Sequence, residues 1–162
     1  MTVSVRRAEP GDFEAVTSLL EELGRPKVLG GSDVDAHREQ FQAWLDHPDL
    51  DAFVAEVDGT VVGFIDLCFV PRLNFDAVQA WVPDLIVREG ARSLGVGASM
   101  LARAEEAARE RGAFALTLES ANWRTRAHAF YEREGMRDSA KEFIKILTDV
   151  SWPPPPSGPS AG

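Results

Sequence analysis

The spacing of apolar residues divides most of the chain into helical and extended segments. Four segments carry apolar residues at intervals of three and four positions, which is typical of an amphipathic helix. Each of these segments is followed by a glycine or a proline, the residues that most often terminate helices. The predicted helices span about residues 12–23, 35–45, 95–111 and 124–135.

Between the helices, short apolar runs and alternating patterns predict β-strands. Asp58-Gly59 separates two of these strands, and this residue pair favours a two-residue hairpin turn. Pro83 lies inside another strand, where a proline removes a ladder hydrogen bond, so we expect a bulge or splay around residues 82–84. The predicted strands are residues 2–8, 52–57, 60–70, 77–87, 114–120 and 142–147.

The alternation of strands and helices predicts one α/β domain. We expect a central mixed, splayed β-sheet flanked by about four helices, formed by residues 1–150. Residues 151–162 are rich in proline, glycine and serine. Such a composition cannot form a regular ladder, so we expect an extended tail and assign no chemistry to it.

Composition narrows the class of protein. The 162 residues are 44% apolar and carry a net charge of −9, which suits a soluble domain with a substantial core. The negative charge argues against nucleic-acid binding, where a basic surface is expected. Without an apolar run of about 18 residues, or a signal-like N-terminus, we expect no membrane association. Cys68 is the only cysteine, which excludes an internal disulfide and favours a cytoplasmic location.

The stretch VREGARSLGVGASML, residues 87–101, places two glycines where an extended run gives way to a helix. Gly95 and Gly97 let a ligand approach the backbone, and the first amides of the next helix lack internal partners. Such a turn, with Arg92 beside it, is suited to bind phosphate. The alternative is a tight turn without a ligand. The residues do not fit a P-loop, which requires Gly-Lys-Ser/Thr, or a dinucleotide fingerprint, because Met100 replaces the third glycine.

Two blocks of the sequence resemble the GNAT superfamily of N-acetyltransferases. The first is R-x-x-G-x-G, beginning at Arg92 after DLIV, which resembles the family's acetyl-CoA signature. The second is LESANWRTRAHAFYEREGM, in which Tyr131 stands four residues before Gly135. The resemblance covers residues 3–147. It implies a GNAT-like fold and the transfer of an acetyl group from acetyl-CoA to an amine.

The resemblance also implies how acetyl-CoA, the co-substrate, is held. Backbone amides of residues 92–98 would bind the pyrophosphate, and the strand edge at residues 85–87 would pair with the pantetheine arm like an added strand. Arg124 stands seven residues before Tyr131, where many family members have asparagine. No metal is expected. The implied cofactor-binding residues are Leu85, Ile86, Val87, Arg92, Ser93, Leu94, Gly95, Val96, Gly97, Ala98 and Arg124.

Direct attack of an amine on a thioester requires a base and an acid. A primary amine has a pKa of about 10 and must lose a proton before it attacks, and the departing thiolate must be stabilised. Tyr131 is the candidate acid. Asp84 is the candidate base, or a carboxylate that orients the amine through water, with Glu119 as second choice. Each has a structural alternative: a tyrosine packed on its helix, or a carboxylate that caps a backbone group. Trp81, near the expected bulge, is the candidate wall of the substrate pocket, and Cys68 is expected to be a buried hydrophobe rather than a nucleophile.

These features predict an N-acetyltransferase that acts on the primary amine of a small molecule. One alternative acceptor is a protein N-terminus or lysine, which would require an open groove rather than a closed pocket. Another alternative is a non-catalytic domain that senses acyl-CoA. Homodimers are common in the family, so a homodimer is possible, although no interface is evident in the sequence.

Overall fold

The computed structural model describes residues 1–149, so the Pro-rich tail lies outside the described residues. The described residues form two compact units, one over residues 1–118 and one that begins at residue 119. The first contains the whole sheet and three helices, and the second contains the fourth helix. In chain order the elements are β1 (Val3–Arg7), α1 (Phe13–Leu23), α2 (Val34–Leu45), β2 (Leu50–Val57), β3 (Thr60–Pro71), β4 (Val78–Val82), β5 (Leu85–Val87), α3 (Val96–Glu110), β6 (Ala115–Leu118) and α4 (Thr125–Arg133).

The six strands form one mixed sheet in the order β1-β2-β3-β4-β6, with β5 also paired to β3. The β4–β6 pairing is parallel and the others are antiparallel. Asp58 and Gly59 both have positive φ, 49° and 79°, as a two-residue hairpin turn requires. The α/β fold with a mixed, splayed sheet and four helices is therefore confirmed.

The segment predicted as one strand over residues 77–87 is interrupted at Pro83. Trp81 pairs with Cys68 of β3, and Leu85 pairs with Ile65. Two residues of β3 thus oppose three residues of the other strand, which is the definition of a bulge. Beyond the bulge, β5 pairs with β3 alone among the described residues, whereas β4 also pairs with β6. The expected irregularity at residues 82–84 is confirmed.

Helices cover both faces of the sheet. The α3 helix packs on one face against a core that includes Phe53, Ile65 and Leu67, and α1 and α2 pack on the other face around Phe64. Gly63 allows α3 to approach closely, because a Cβ at this position would lie 2.9 Å from the Met100 side chain. Burial of a large apolar side chain in such a core contributes about 2 kcal/mol to stability.

The strand predicted for residues 142–147 is wrong. Residues 136–147 have no regular secondary structure, and Phe143 and Leu147 are 91% and 85% exposed. A strand requires a neighbouring strand that accepts its backbone hydrogen bonds. No strand within residues 1–149 pairs with this segment, so its apolar pattern alone does not produce an extended element.

Two further features concern the described residues alone. None of their helices has the length and apolar character needed to cross a bilayer. They also contain no cluster of three histidine, cysteine, aspartate or glutamate side chains arranged as metal ligands.

Candidate active site

The start of α3 presents backbone donors at the glycine turn. Gly95 has φ 76° and occupies the N-cap position. The N–H of Ser99 donates to the Gly95 carbonyl at 3.1 Å. The amides of Val96, Gly97 and Ala98 come too early in the helix for an intrahelical acceptor, and the described residues supply no other acceptor. These donors and the positive end of the helix dipole are suited to hold an anion.

The arginines before the turn are tied to α1. Nη1 of Arg88 and Nη2 of Arg92 lie 3.6 Å and 3.7 Å from the Glu22 carboxylate. Glu22 also accepts the Glu89 N–H at 2.9 Å, and Nε of Arg92 donates to the Val87 carbonyl at 3.2 Å. Glu22 therefore contacts both arginines and the backbone before the turn, while both arginine side chains remain about 40% exposed to solvent.

One backbone edge of β5 faces away from β3. The Asp84 carbonyl accepts the Asp66 N–H at 3.2 Å, and the Arg88 N–H donates to a carbonyl of β3 at 2.8 Å. Since hydrogen-bonding direction alternates along an antiparallel strand, the N–H and C=O groups of Leu85 and Val87 point to the opposite edge. That edge is suited to pair with an extended chain of amide groups.

A cavity of about 340 Å³ lies within the first unit, where α1 and α2 cover the sheet. Both helices and β3 contribute to its walls. Most of the lining is apolar, and two carboxylates, Asp66 and Asp84, lie at the bulge side. The main apolar lining residues are Phe13, Val16, Leu20, Phe41, Trp44 and Phe64.

The two carboxylates form a connected group with Arg25. The Asp84 N–H donates to Oδ1 of Asp66 at 2.8 Å. Arg25 forms an ion pair with the Asp84 carboxylate and donates from Nη2 to the Pro83 carbonyl at 3.1 Å. Asp66 is only 6% exposed, and burial together with the nearby Asp84 charge raises its pKa well above the usual range. When both carboxylates are ionised, they carry one more charge than Arg25 neutralises, so the group is suited to bind a cation.

Trp81 and Cys68 lie next to this group. They face each other across β3 and β4, and the period-two alternation places them on the sheet face that carries Phe64 and Asp66. Trp81 is nevertheless not among the residues that line the cavity. Burial and the two nearby carboxylates raise the pKa of Cys68 to about 11, so its thiol stays protonated and is a poor nucleophile.

Tyr131 and Arg124 belong to the second unit. Tyr131 lies on α4 with its ring 5.3 Å from that of Phe130, and Arg124 occupies the N-cap position of the helix. Burial raises the pKa of Tyr131, which the positive charge of Arg124 opposes. The phenol is therefore protonated at neutral pH and able to donate a proton.

The site residues that the sequence predicts in the first unit lie close together along the chain. Asp84, the β5 edge at residues 85–87 and the turn at residues 92–98 follow one another along the chain. Sequence reasoning missed Asp66 and Arg25. A signal for Asp66 was present, because it is the single charged residue in β3. Arg25 follows the glycine that ends α1 and had no comparable signal.

Comparisons with known proteins identify the family to which the chain belongs. The profile of the acetyltransferase (GNAT) family matches residues 16–136. The chain is 34% identical to aminoalkylphosphonate N-acetyltransferase of Salmonella typhimurium, over 88% of this chain and 90% of that protein. It is 31% identical to an IAA acetyltransferase of Azospirillum brasilense, over 84% and 85% of the two chains. A solved structure described as a putative acetyltransferase from Agrobacterium tumefaciens has a TM-score of 0.78 and 27% identity, over 88% of this chain and 99% of that one. The chain therefore belongs to the GNAT family and is an acetyl-CoA-dependent N-acetyltransferase.

Proposed function

We propose that this enzyme acetylates the primary amine of a small molecule by direct attack of the amine on acetyl-CoA. The cavity between α1, α2 and the sheet carries this proposal. Its volume of about 340 Å³ is at the lower end of the range of about 300–1,000 Å³ for small-ligand sites. Helices on two sides and a carboxylate pair at the bulge suit a compact amine better than an extended peptide.

The turn before α3 and the outer edge of β5 are the proposed holding groups for acetyl-CoA, which supplies the activated acetyl thioester when bound. The unpaired amides of Val96, Gly97 and Ala98 support a pyrophosphate site, together with the preceding residues of the turn, 92–95. The outward N–H groups of Leu85 and Val87 and the outward C=O of Leu85 support pairing with the pantetheine arm, while the Val87 C=O accepts from Arg92. Arg124 adds a positive charge at the start of α4.

The carboxylate pair is the proposed acceptor of the amine's proton. The ammonium of the incoming substrate is proposed to bind at Asp84, the residue that the sequence predicts as the base, and Asp66 accepts the Asp84 backbone N–H. The pKa of Asp66 is raised by burial and by the nearby Asp84 charge, and a carboxylate with a raised pKa is a more effective general base near neutral pH. The neutral amine then forms the bond to the acetyl carbonyl carbon.

Tyr131 is the proposed acid. As the carbon–sulfur bond breaks, a phenol proton would pass to the departing thiolate of CoA, and the proton lost by the attacking nitrogen would restore the phenol. The raised pKa of Tyr131 keeps this proton available at neutral pH. Trp81, which shares the sheet face of Phe64 and Asp66, is proposed to contact the acceptor beyond the cavity lining.

An acceptor competition tests the proposed function. The full chain is incubated with acetyl-CoA and either a panel of small primary amines or peptides with free N-termini and lysines. Free CoA is followed with a thiol reagent, and products are identified by mass spectrometry. We expect turnover with small amines. Acetylation restricted to the peptides would show that the proposal is wrong, and acetyl-CoA binding without turnover of any acceptor would favour a sensor.

Replacement of the acid tests the proposed chemistry. Tyr131→Phe should lower kcat about 100-fold with little change in the Kd of acetyl-CoA, measured by calorimetry. His128→Gln removes a titratable group from the same helix and serves as the control, with kcat expected to stay within about threefold. Equal rates for Tyr131→Phe and the unmodified enzyme would show that Tyr131 is not the acid.

A further inference from the structure

The cavity also indicates which small amines it accepts, an inference that rests on the proposed function. Aromatic side chains from both helices form much of its wall. Phe13 and Phe41 are in tilted contact with ring centroids 5.8 Å apart, and Trp44 lies one helical turn after Phe41 on α2. Phe64 from β3 completes the apolar surface. A carbon skeleton that is itself apolar gains free energy by leaving water for such a surface.

The one arginine that lines the described cavity is already paired and is therefore poorly placed to bind an anionic substrate. Among the lining residues, all of which lie in the described part of the chain, Arg25 is the only arginine or lysine. It already pairs with Asp84 and donates to the Pro83 carbonyl. Asp66 adds a second carboxylate beside this pair. An anion placed here would meet the Asp84 carboxylate and would oppose the ionisation of Asp66, whereas an ammonium group would favour the ionised form of Asp66.

The remaining polar lining residues do not alter this balance. His37 has its Nδ1 2.9 Å from the Asp33 carbonyl oxygen, so this nitrogen is engaged at the start of α2. Thr17 and Gln40 are neutral, and Gln40 lies on the exposed side of α2. The cavity is therefore mostly apolar along its walls, with two carboxyl groups and one arginine at the bulge.

We propose that the acceptor is a small primary amine with an apolar, preferably aromatic, carbon skeleton and no anionic group. Its ammonium group meets Asp66 and Asp84, and its skeleton lies against Phe41, Trp44 and Phe64. This acceptor class differs from that in the name of the Salmonella relative, an aminoalkylphosphonate N-acetyltransferase. A phosphonate would bring one or two further negative charges into a cavity whose arginine is already paired.

Three amines that share an aminoethyl group test the proposal. They are 2-phenylethylamine, ethanolamine and 2-aminoethylphosphonate, compared by kcat/KM from CoA release with product identification. We expect 2-phenylethylamine to exceed ethanolamine about 30-fold, the value of burying one phenyl-sized group. We expect 2-aminoethylphosphonate to fall at least about tenfold below ethanolamine, because of charge repulsion.

The outcomes separate this inference from the proposed function. A kcat/KM for 2-aminoethylphosphonate above that for 2-phenylethylamine would overturn the inference, yet it would still show acetylation of a small amine. Activity on peptides alone would overturn both.

A positive charge introduced into the cavity lining tests whether this cavity selects the acceptor. Gln40→Arg places a cation on the cavity lining at an exposed helical position, where folding tolerates the change. It should raise kcat/KM for 2-aminoethylphosphonate at least about fivefold. Gln42→Arg is the matched control, because Gln42 is exposed on the same helix but does not line the cavity. Equal effects of the two variants, or no gain with Gln40→Arg, would show that this cavity does not select the acceptor.

Discussion

Two groups of charged residues in this protein have the same composition, one arginine with two carboxylates, and opposite electrostatic outcomes. In the first group, Arg6 binds Asp12 through both Nη atoms at 2.8 Å and 2.9 Å, and its Nε donates to Glu56 at 2.9 Å. In the second group, Arg25 pairs with Asp84, whereas Asp66 accepts the neutral backbone N–H of Asp84 and feels the charge of Arg25 at longer range.

The pKa values follow the contacts. Hydrogen bonds from Arg6 lower the pKa of Asp12, even though burial opposes this. Burial raises the pKa of Asp66, and the charge of Asp84 raises it further. In the first group the arginine hydrogen-bonds to both carboxylates, and the group joins β1, β2 and the start of α1. In the second group the arginine pairs with one of the two carboxyl groups, and the group faces a cavity in which the proposed cationic substrate would supply a second positive charge. An uncompensated carboxylate in a cavity is a candidate for function, whereas a compensated one stabilises the fold.

The largest expected effect is on activity, and it separates the two groups. Asp84→Asn should lower kcat/KM for an accepted amine by about 10²–10⁴, because the proton acceptor is weakened. Asp12→Asn removes a carboxylate of similar burial from the other group and should leave kcat/KM within about threefold. Initial rates of CoA release, measured well below the melting temperature, make the comparison. Similar losses of kcat/KM in both variants would show that Asp84 has no more direct role in catalysis than Asp12.

The next effect is on stability. Asp12→Asn should lower the free energy of unfolding by about 2 kcal/mol at pH 7, since a charged hydrogen-bonded pair is broken. The pKa of Asp12 is lowered in the folded state, so its contribution is complete above the unfolded pKa of about 3.9 and is lost as the pH falls through the folded value. Urea unfolding of both proteins from pH 7 to pH 3 measures the difference. A difference that stays constant over this range would assign the effect to packing rather than charge.

The smallest effect has the opposite sign. Asp66→Asn should raise the free energy of unfolding by about 1 kcal/mol at pH 7, because asparagine can still accept the Asp84 N–H but carries no buried charge. The pKa of Asp66 is raised by folding. The cost of this carboxylate therefore appears as the pH rises above about 3.9 and grows until the folded pKa is passed. The variant and the unmodified protein should be equally stable below about pH 4 in the same urea series. Destabilisation by Asp66→Asn at pH 7 would show that Asp66 is compensated, like Asp12.

Local features of the backbone could be predicted from the sequence because neighbouring residues cause them. Pro83 lacks an N–H and cannot donate to a neighbouring strand. The bulge could therefore be predicted without knowing which strands lie beside it. Gly95 adopts positive φ and begins α3, and Asp58-Gly59 forms the hairpin turn. The prediction for residues 142–147 is wrong because a strand also requires a neighbouring strand for its backbone hydrogen bonds. The spacing of apolar residues does not show whether such a neighbour exists.

The candidate site divides in the same way. The sequence by itself determined the four helices, the strands of the mixed sheet, the phosphate-type turn and the position of Asp84 beside the bulge, since these depend on backbone preferences within a few residues. Only the tertiary structure decided that Asp66 and Arg25 join Asp84, and that Phe41, Trp44 and Phe64 wall one cavity. These residues come from α2, β3, the bulge and the loop after α1. The raised pKa of Asp66 and the shared cavity surface arise from burial and long-range charge, which exist only once the helices pack on the sheet.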